Sequence, residues 1–172
     1  MKLHRTLCVA MSLSVLGIDQ ITKVLARTLL QEPLVLGPFL NLSLGYNTGI
    51  TFGLFAGRGD LGRWVLVAGT AAVALWLVVW MWREPRLAVA APLALVAGGA
   101  LGNILDRLRS GAVTDFIDAH IGSTHWPTFN LADAAIVVGT GWLLLASLRR
   151  GAHADAKDAT KAGSRPRAGA PT

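Results

Sequence analysis

At 172 residues, 53% hydrophobic and 15% charged, with a mean hydropathy of +0.51, the chain is too apolar for an ordinary soluble domain and suits one compact unit. The net charge of +6 lies mostly in a tail: six Lys/Arg and two Asp from Arg149 onward give +4, leaving +2 for the preceding residues. No aromatic residue interleaves those basic residues, so the high pI is weak evidence for nucleic-acid binding, and a basic tail beside an apolar helix marks the cytoplasmic side of a membrane.

Residues 1–29 open with Lys2, His4 and Arg5 and run apolar from Leu7 to Ile18, as a secretory signal peptide does. No small-residue cleavage pattern follows. The apolar pattern resumes after Asp19, Gln20 and Lys23, which predicts one spanning helix over about residues 6–28. Asp19 and Lys23 are four apart and can pair on one helix face. A structural ion pair and a substrate-contacting Asp19 both fit that spacing. Cys8 is the only cysteine, which excludes an internal disulfide; inside an apolar helix it reads as a small buried thiol.

Residues 31–62 are punctuated by Pro33, Gly37, Pro38, Gly45, Gly49, Gly53, Gly57 and Gly59. Short β-prone runs lie between the breaks: Leu34 to Leu36, Phe39 to Leu44, and Ile50 to Phe55. They predict a small β-rich segment at the membrane surface. Asn47-Thr48-Gly49 reads as a tight turn or as a polar clamp.

Residues 64–82 carry no charge and predict the second span, with Trp64, Trp80 and Trp82 at its ends. Arg83-Glu84-Pro85-Arg86 makes a polar turn. A third span follows over about 87–106, with Pro92 inside it and Gly98 and Gly102 as a GxxxG packing pair. The fourth runs over about 132–148. Residues 151–172 then read as a disordered basic cytoplasmic tail, leaving 1–150 as a single integral-membrane domain. Four spans place both termini on one side, and the basic flanks make that side cytoplasmic. Residues 31–62 and 107–131 then meet on the outer face, together with Asp19, Asn47, Asn103, Asp106, Asp115, Asn130 and Asp133.

Four of the eight acidic residues ahead of the tail fall between Gly98 and Asp133. Carboxylates at the ends of membrane spans are costly to desolvate and point to function. Metal-ligand spacing is missing: His120 and His125 are five apart, without an HExxH pattern. Ser43, Ser110 and Ser123 lack a nucleophile context, and no phosphate-cradling loop is present. What remains is paired carboxylates, which share a proton and can serve as base and acid around a water. Asp115 sits in Val-Thr-Asp-Phe-Ile with no adjacent cation and is free to approach Asp133. Asn130 and Asp133 are also spaced to cap the fourth helix. Arg107 beside Asp106 reads as the cation that orients it. Asp118 reads as an exposed interfacial acid.

The blocks GNILDR, GAVTDFID and FNLADAAI resemble those of the bacterial lipoprotein signal peptidases (type II signal peptidases). Asp19-Gln20-x-x-Lys23 and the block from Tyr46 to Gly53 resemble that family too, so the likeness covers roughly residues 12–148 in order. Thr51 and Thr114 depart from the residues more usual there. The resemblance implies an all-α membrane protein: a four-transmembrane-helix bundle with a small periplasmic β-cradle between helices 1 and 2. It implies an aspartic endopeptidase that cuts diacylglyceryl-modified prolipoproteins before the lipidated cysteine, with Asp115 and Asp133 catalytic. Asp19, Lys23, Asn47, Gly49, Asn103, Asp106, Arg107, Asn130 and Ala132 would bind substrate or support the site. No metal, cofactor or nucleic acid is expected. The expected partners are prolipoproteins and membrane lipids, and the expected setting is a monomer in the bacterial inner membrane with its site near the periplasmic face. The rival from another class is a small cation-coupled transporter; it would want carboxylates at mid-membrane and inverted repeats, whereas these acids lie at span ends.

Overall fold

Helix α1 (Lys2–Leu29) buries Cys8, Ser12, Asp19, Lys23 and Ala26. At 3.6 residues per turn these fall within about 60° of one another. The buried stripe is small and polar, while Leu7, Leu13, Ile18, Ile21 and Leu25 point outward. An apolar outer face over a polar inner one is the arrangement that hydrocarbon surroundings favour. The computed structural model that shows this describes residues 2–49 and 59–163. The run Ile50 to Phe55, including Thr51, lies outside the described residues.

Three further helices follow: α2 (Gly59–Arg83), α3 (Leu87–Ser110) and α4 (Leu131–Gly163). All four are long and apolar enough to cross a membrane. They match the expected spans, but extend beyond the expected ends. α4 passes Leu148 and covers the first part of the segment expected to be disordered; the Ala- and Lys-rich sequence there consists of good helix formers.

α3 is the central helix. Of its most apolar window 67% is buried, against 22%, 28% and 11% for α1, α2 and α4. It packs on all three others, and α1 also touches α4. Small residues make this close contact possible. A methyl at Gly98 would lie 2.6 Å from the Ser12 carbonyl oxygen of α1, and one at Gly99 would lie 2.5 Å from the Ala132 carbonyl oxygen of α4. Ser12 Oγ also donates to the Ala94 carbonyl at 2.9 Å, a contact of a kind worth about 0.6 kcal/mol inside a membrane. Cys8, Leu77, Met81, Val89, Leu93 and Ala94 form an apolar core from α1, α2 and α3. Arg5 stacks on Trp82 at 5.1 Å, and Arg63 donates to the Leu108 carbonyl at 2.6 Å. The start of α1 therefore lies with the end of α2, and the start of α2 with the end of α3.

Gly111 ends α3 in the left-handed region (φ 78°), its N–H donating to the Arg107 carbonyl. The chain turns there into β3 (Val113–Ile121). β1 (Leu34–Gly37), β2 (Leu40–Asn47), β3 and β4 (Thr124–His125) form one antiparallel sheet in that order. The sheet is thus not confined to the connection between the first two helices, as the sequence suggested. Its longest strand comes from the α3–α4 connection, where Val113, Phe116, Ile117 and Ile121 interleave with acids that obscure the β pattern.

Candidate active site

The site forms where the end of α1, the end of α3, the start of α4 and the sheet meet. Its first part is a cluster of paired charges. Lys23 is fully buried, and its ammonium reaches Asp19 Oδ2 at 2.9 Å, Asp106 Oδ2 at 3.2 Å and Asn103 Oδ1 at 2.9 Å. Those three acceptors match its three hydrogens. Arg27 Nη2 pairs with Asp106 Oδ1 at 3.1 Å, and Gln20 donates to both Asp19 and Asp106. Two carboxylates thus face two cations, the condition under which buried charge is tolerated. Asp19 Oδ1 accepts the Ala132 N–H at 3.0 Å, placing negative charge at the N-terminus of α4. Gly102 allows this approach, because a methyl there would strike the Asp19 carboxylate.

The second part is built on amides. Asn130 caps α4 through a reciprocal box: its Oδ1 accepts the Asp133 N–H at 3.0 Å, and Asp133 Oδ2 accepts the Asn130 N–H at 3.3 Å. The same Asn130 side chain donates to Asp115 Oδ1 at 2.6 Å. Capping and site building, alternatives in the sequence, are done by one residue. Asn103 Nδ2 donates to Asp133 Oδ1 at 2.7 Å. Asn47 holds the Gly49 N–H at 3.0 Å in a side-chain turn and also hydrogen-bonds Asp115. Burial first, and the Asp133 charge second, push the Asp115 carboxyl from 3.8 up to about 6. Bonds from Asn130 and Asn47, and the Lys23 charge, oppose that rise.

A cavity of about 790 Å³ opens beside this pair, between α2 and α4. Asp133, Asn103, Arg107, Asn47 and Gly49 form its polar wall; Leu66, Ala100, Phe129, Ile136, Val137 and Val138 form much of the rest. Arg107 Nη2 donates to the Gly49 carbonyl at 2.9 Å, and its Nε is buried with no hydrogen-bond partner among the described residues. The cavity therefore joins an apolar passage to a polar corner carrying a carboxylate and a cation. Among the described residues no group of three or more His, Cys, Asp or Glu is arranged to hold a metal ion.

Of the eleven residues singled out in the sequence, Asn47, Gly49, Asn103, Arg107 and Asp133 line this cavity and the other six join them through the contacts above, but two expectations change. Arg107 does not pair with Asp106: it serves the Gly49 loop, and the acids whose charge it feels most are Asp133, then Asp115. Asp106 is held by Lys23 and Arg27 instead. Asp118 is not exposed. It accepts from His125 at 2.7 Å and Asn41 at 3.3 Å, and the His125 hydrogen bond holds its carboxyl below the usual range. Arg27 and Thr114 were missed. Arg27 was findable, because it continues the Asp19, Lys23 stripe at the same four-residue step. Thr114 uses its hydroxyl to accept from Arg27 Nε at 2.9 Å, and its N–H donates to Asp106 Oδ2 at 2.9 Å.

Residues 11–149 match the family described as signal peptidase (SPase) II. A lipoprotein signal peptidase of Methylorubrum extorquens (strain PA1) is 41% identical over 160 residues, covering 91% of this chain and 94% of the relative. One from Beijerinckia indica subsp. indica is 47% identical over 115 residues, covering 67% and 69%. A solved structure of a bacterial membrane enzyme, obtained by the in meso method at 2.3 Å, superposes with a TM-score of 0.74 over 96% of this chain and 95% of that one; at 23% identity the likeness is one of fold.

Proposed function

The chain belongs to the signal peptidase II family, and from that premise we propose that it removes signal peptides from diacylglyceryl-modified prolipoproteins, as an aspartic endopeptidase. The observation that carries the mechanism is the single Asn130 side chain, which binds Asp115 and caps the helix turn that presents Asp133. It ties Asp115 to Asp133, the carboxylate that lines the polar corner of the cavity.

Asp133 lines the cavity and is the base: it takes a proton from water as the water oxygen adds to the scissile carbonyl carbon. Asp115 holds its proton more tightly than an ordinary carboxyl and is the acid: it protonates the amide nitrogen as the C–N bond breaks. The products are a carboxylic acid and the free amine of the lipidated cysteine, and the pair ends one proton exchange from its starting state. Arg107 faces the carbonyl oxygen as negative charge develops there. The gap between α2 and α4 lets the signal helix and acyl chains stay in lipid while the scissile amide reaches the polar corner.

The positive-inside distribution supports both termini in the cytoplasm and the site at the periplasmic face of the inner membrane. A reporter joined after Arg150 should read cytoplasmic and one inserted near Arg58 periplasmic. The activity test is cleavage of a lipidated prolipoprotein by purified protein in detergent. Cleavage by the wild type and its loss in Asp115→Asn and Asp133→Asn are expected. Full activity in either variant would refute the paired-aspartate mechanism.

A further inference from the structure

We propose that Arg27 and Thr114 are positioning residues: together they clamp the start of β3 to α1 and keep the Asp115 carboxyl in register with Asp133. The inference rests on the reading of Asp115 and Asp133 as the reactive pair. The contacts form a closed ring. Arg27 Nε donates to Thr114 Oγ1 at 2.9 Å and Nη2 donates to Asp106 Oδ1 at 3.1 Å. The other oxygen of that carboxylate accepts the Thr114 N–H at 2.9 Å. One residue is thereby gripped through both backbone and side chain, and it is fully buried.

Thr114 immediately precedes Asp115. Successive side chains of a strand point to opposite faces, so holding Thr114 against α1 turns Asp115 to the face where Asn130 meets it. A slip by one residue would exchange those faces. The sheet pairs Val113, Thr114 and Asp115 with Asn47, Tyr46 and Gly45, but the pairing turns irregular immediately beyond, between Gly45 and Leu42. A bulge there weakens the ladder on one side of Asp115. The Arg27–Asp106–Thr114 ring adds to the strand register a second reference, taken from the helices.

The test uses the full chain in detergent, a diacylglyceryl-cysteine peptide as substrate, and the variants Thr114→Val, Thr114→Ser and Arg27→Lys. Val keeps the shape but removes the hydroxyl; Lys keeps the charge but cannot reach Asp106 and Thr114 with a planar fork. Thr114→Val and Arg27→Lys should each lower kcat per folded enzyme by about tenfold or more with KM little changed, since small misplacements of a reacting group are that costly. Thr114→Ser should retain the wild-type rate. The double variant Arg27→Lys with Thr114→Val should be no slower than the slower single one, because both remove the same bond. Wild-type turnover per folded enzyme in Thr114→Val would overturn the clamp, as would a loss of activity accounted for entirely by a smaller folded fraction. Hydrogen exchange at the amides of residues 113–117 gives a second readout that needs no activity: faster exchange in Thr114→Val is expected, and unchanged protection overturns the proposal. A wild-type protein that leaves the peptide uncut would sink the peptidase reading instead, while the exchange result still decides the clamp.

Discussion

On the α1 side of α3, Asp19 and Asp106 both touch the Lys23 ammonium, and Asp106 touches Arg27 as well. On the α4 side, Asp115 and Asp133 are held by the amides of Asn130, Asn103 and Asn47. The two pairs of acids are joined by Asn103, whose oxygen takes a bond from Lys23 and whose nitrogen gives one to Asp133. Charge matched by charge is fixed and holds helices together. Charge whose direct hydrogen bonds come from neutral amides, with cations acting only from farther off, leaves a proton to be shared, as the proposed hydrolysis requires. On that proposal the same residue type is made structural or reactive by its partners.

Substitution at the amide-held pair gives the largest expected effect. Asp115→Asn and Asp133→Asn preserve shape, so each should fold, yet each should lower turnover by roughly 10²–10⁴-fold. The double variant should lose little more, because the groups act as a unit. Measured rates and melting temperatures of the three variants check this. Asp106→Asn breaks the comparison from the other side. It leaves Arg27 without its carboxylate and Lys23 with Asp19 alone, so a stability loss of about 3 kcal/mol should precede any defect in the folded enzyme's rate, visible as a lower melting temperature. A stable but inactive Asp106→Asn would mean that the cation-matched cluster is itself reactive.

A pH series sharpens the contrast. A carboxyl raised from 3.8 to about 6 binds its proton more tightly folded than unfolded. Its contribution to stability is therefore full below 3.8 and is lost as the pH rises through about 6. The wild type should lose on the order of 2 kcal/mol across that window that Asp115→Asn does not lose. Denaturation midpoints across the pH range would show the two curves converging at acid pH. A smaller effect is expected from Gly102→Ala, whose methyl presses on the Asp19 carboxylate, at about 1–2 kcal/mol. The smallest is removal of the chain from Gly151 onward, which carries none of the candidate site residues and should leave the cleavage rate unchanged.

The four spans were legible because an apolar run of membrane length admits few other readings. Asp115 and Asp133 could be singled out as the proposed reactive pair because they stand in distinctive blocks. The partners of Asp106 were not, because Lys23 and Arg27 lie far off in sequence and Arg107 lies adjacent; adjacency on a helix sends the two side chains in different directions. β3 was read as extended but not paired, since its acids interrupt the alternation that marks a half-buried strand. Asp118 was read as exposed because its cover, His125, comes from the far arm of the same hairpin.

The capping box at Asn130 also sets an order of events in the life of the molecule. A growing chain that has emerged only as far as β3 already contains Asp115 and Asn47, but neither the Asn130 amide nor the Asp133 carboxyl. Both arrive with the first turn of α4, and they arrive locked to each other, because the bonds that start the helix also tie Asn130 to Asp133. On the proposed mechanism, a copy that stops at β3 lacks the reactive pair, and completing the last helix is what assembles it.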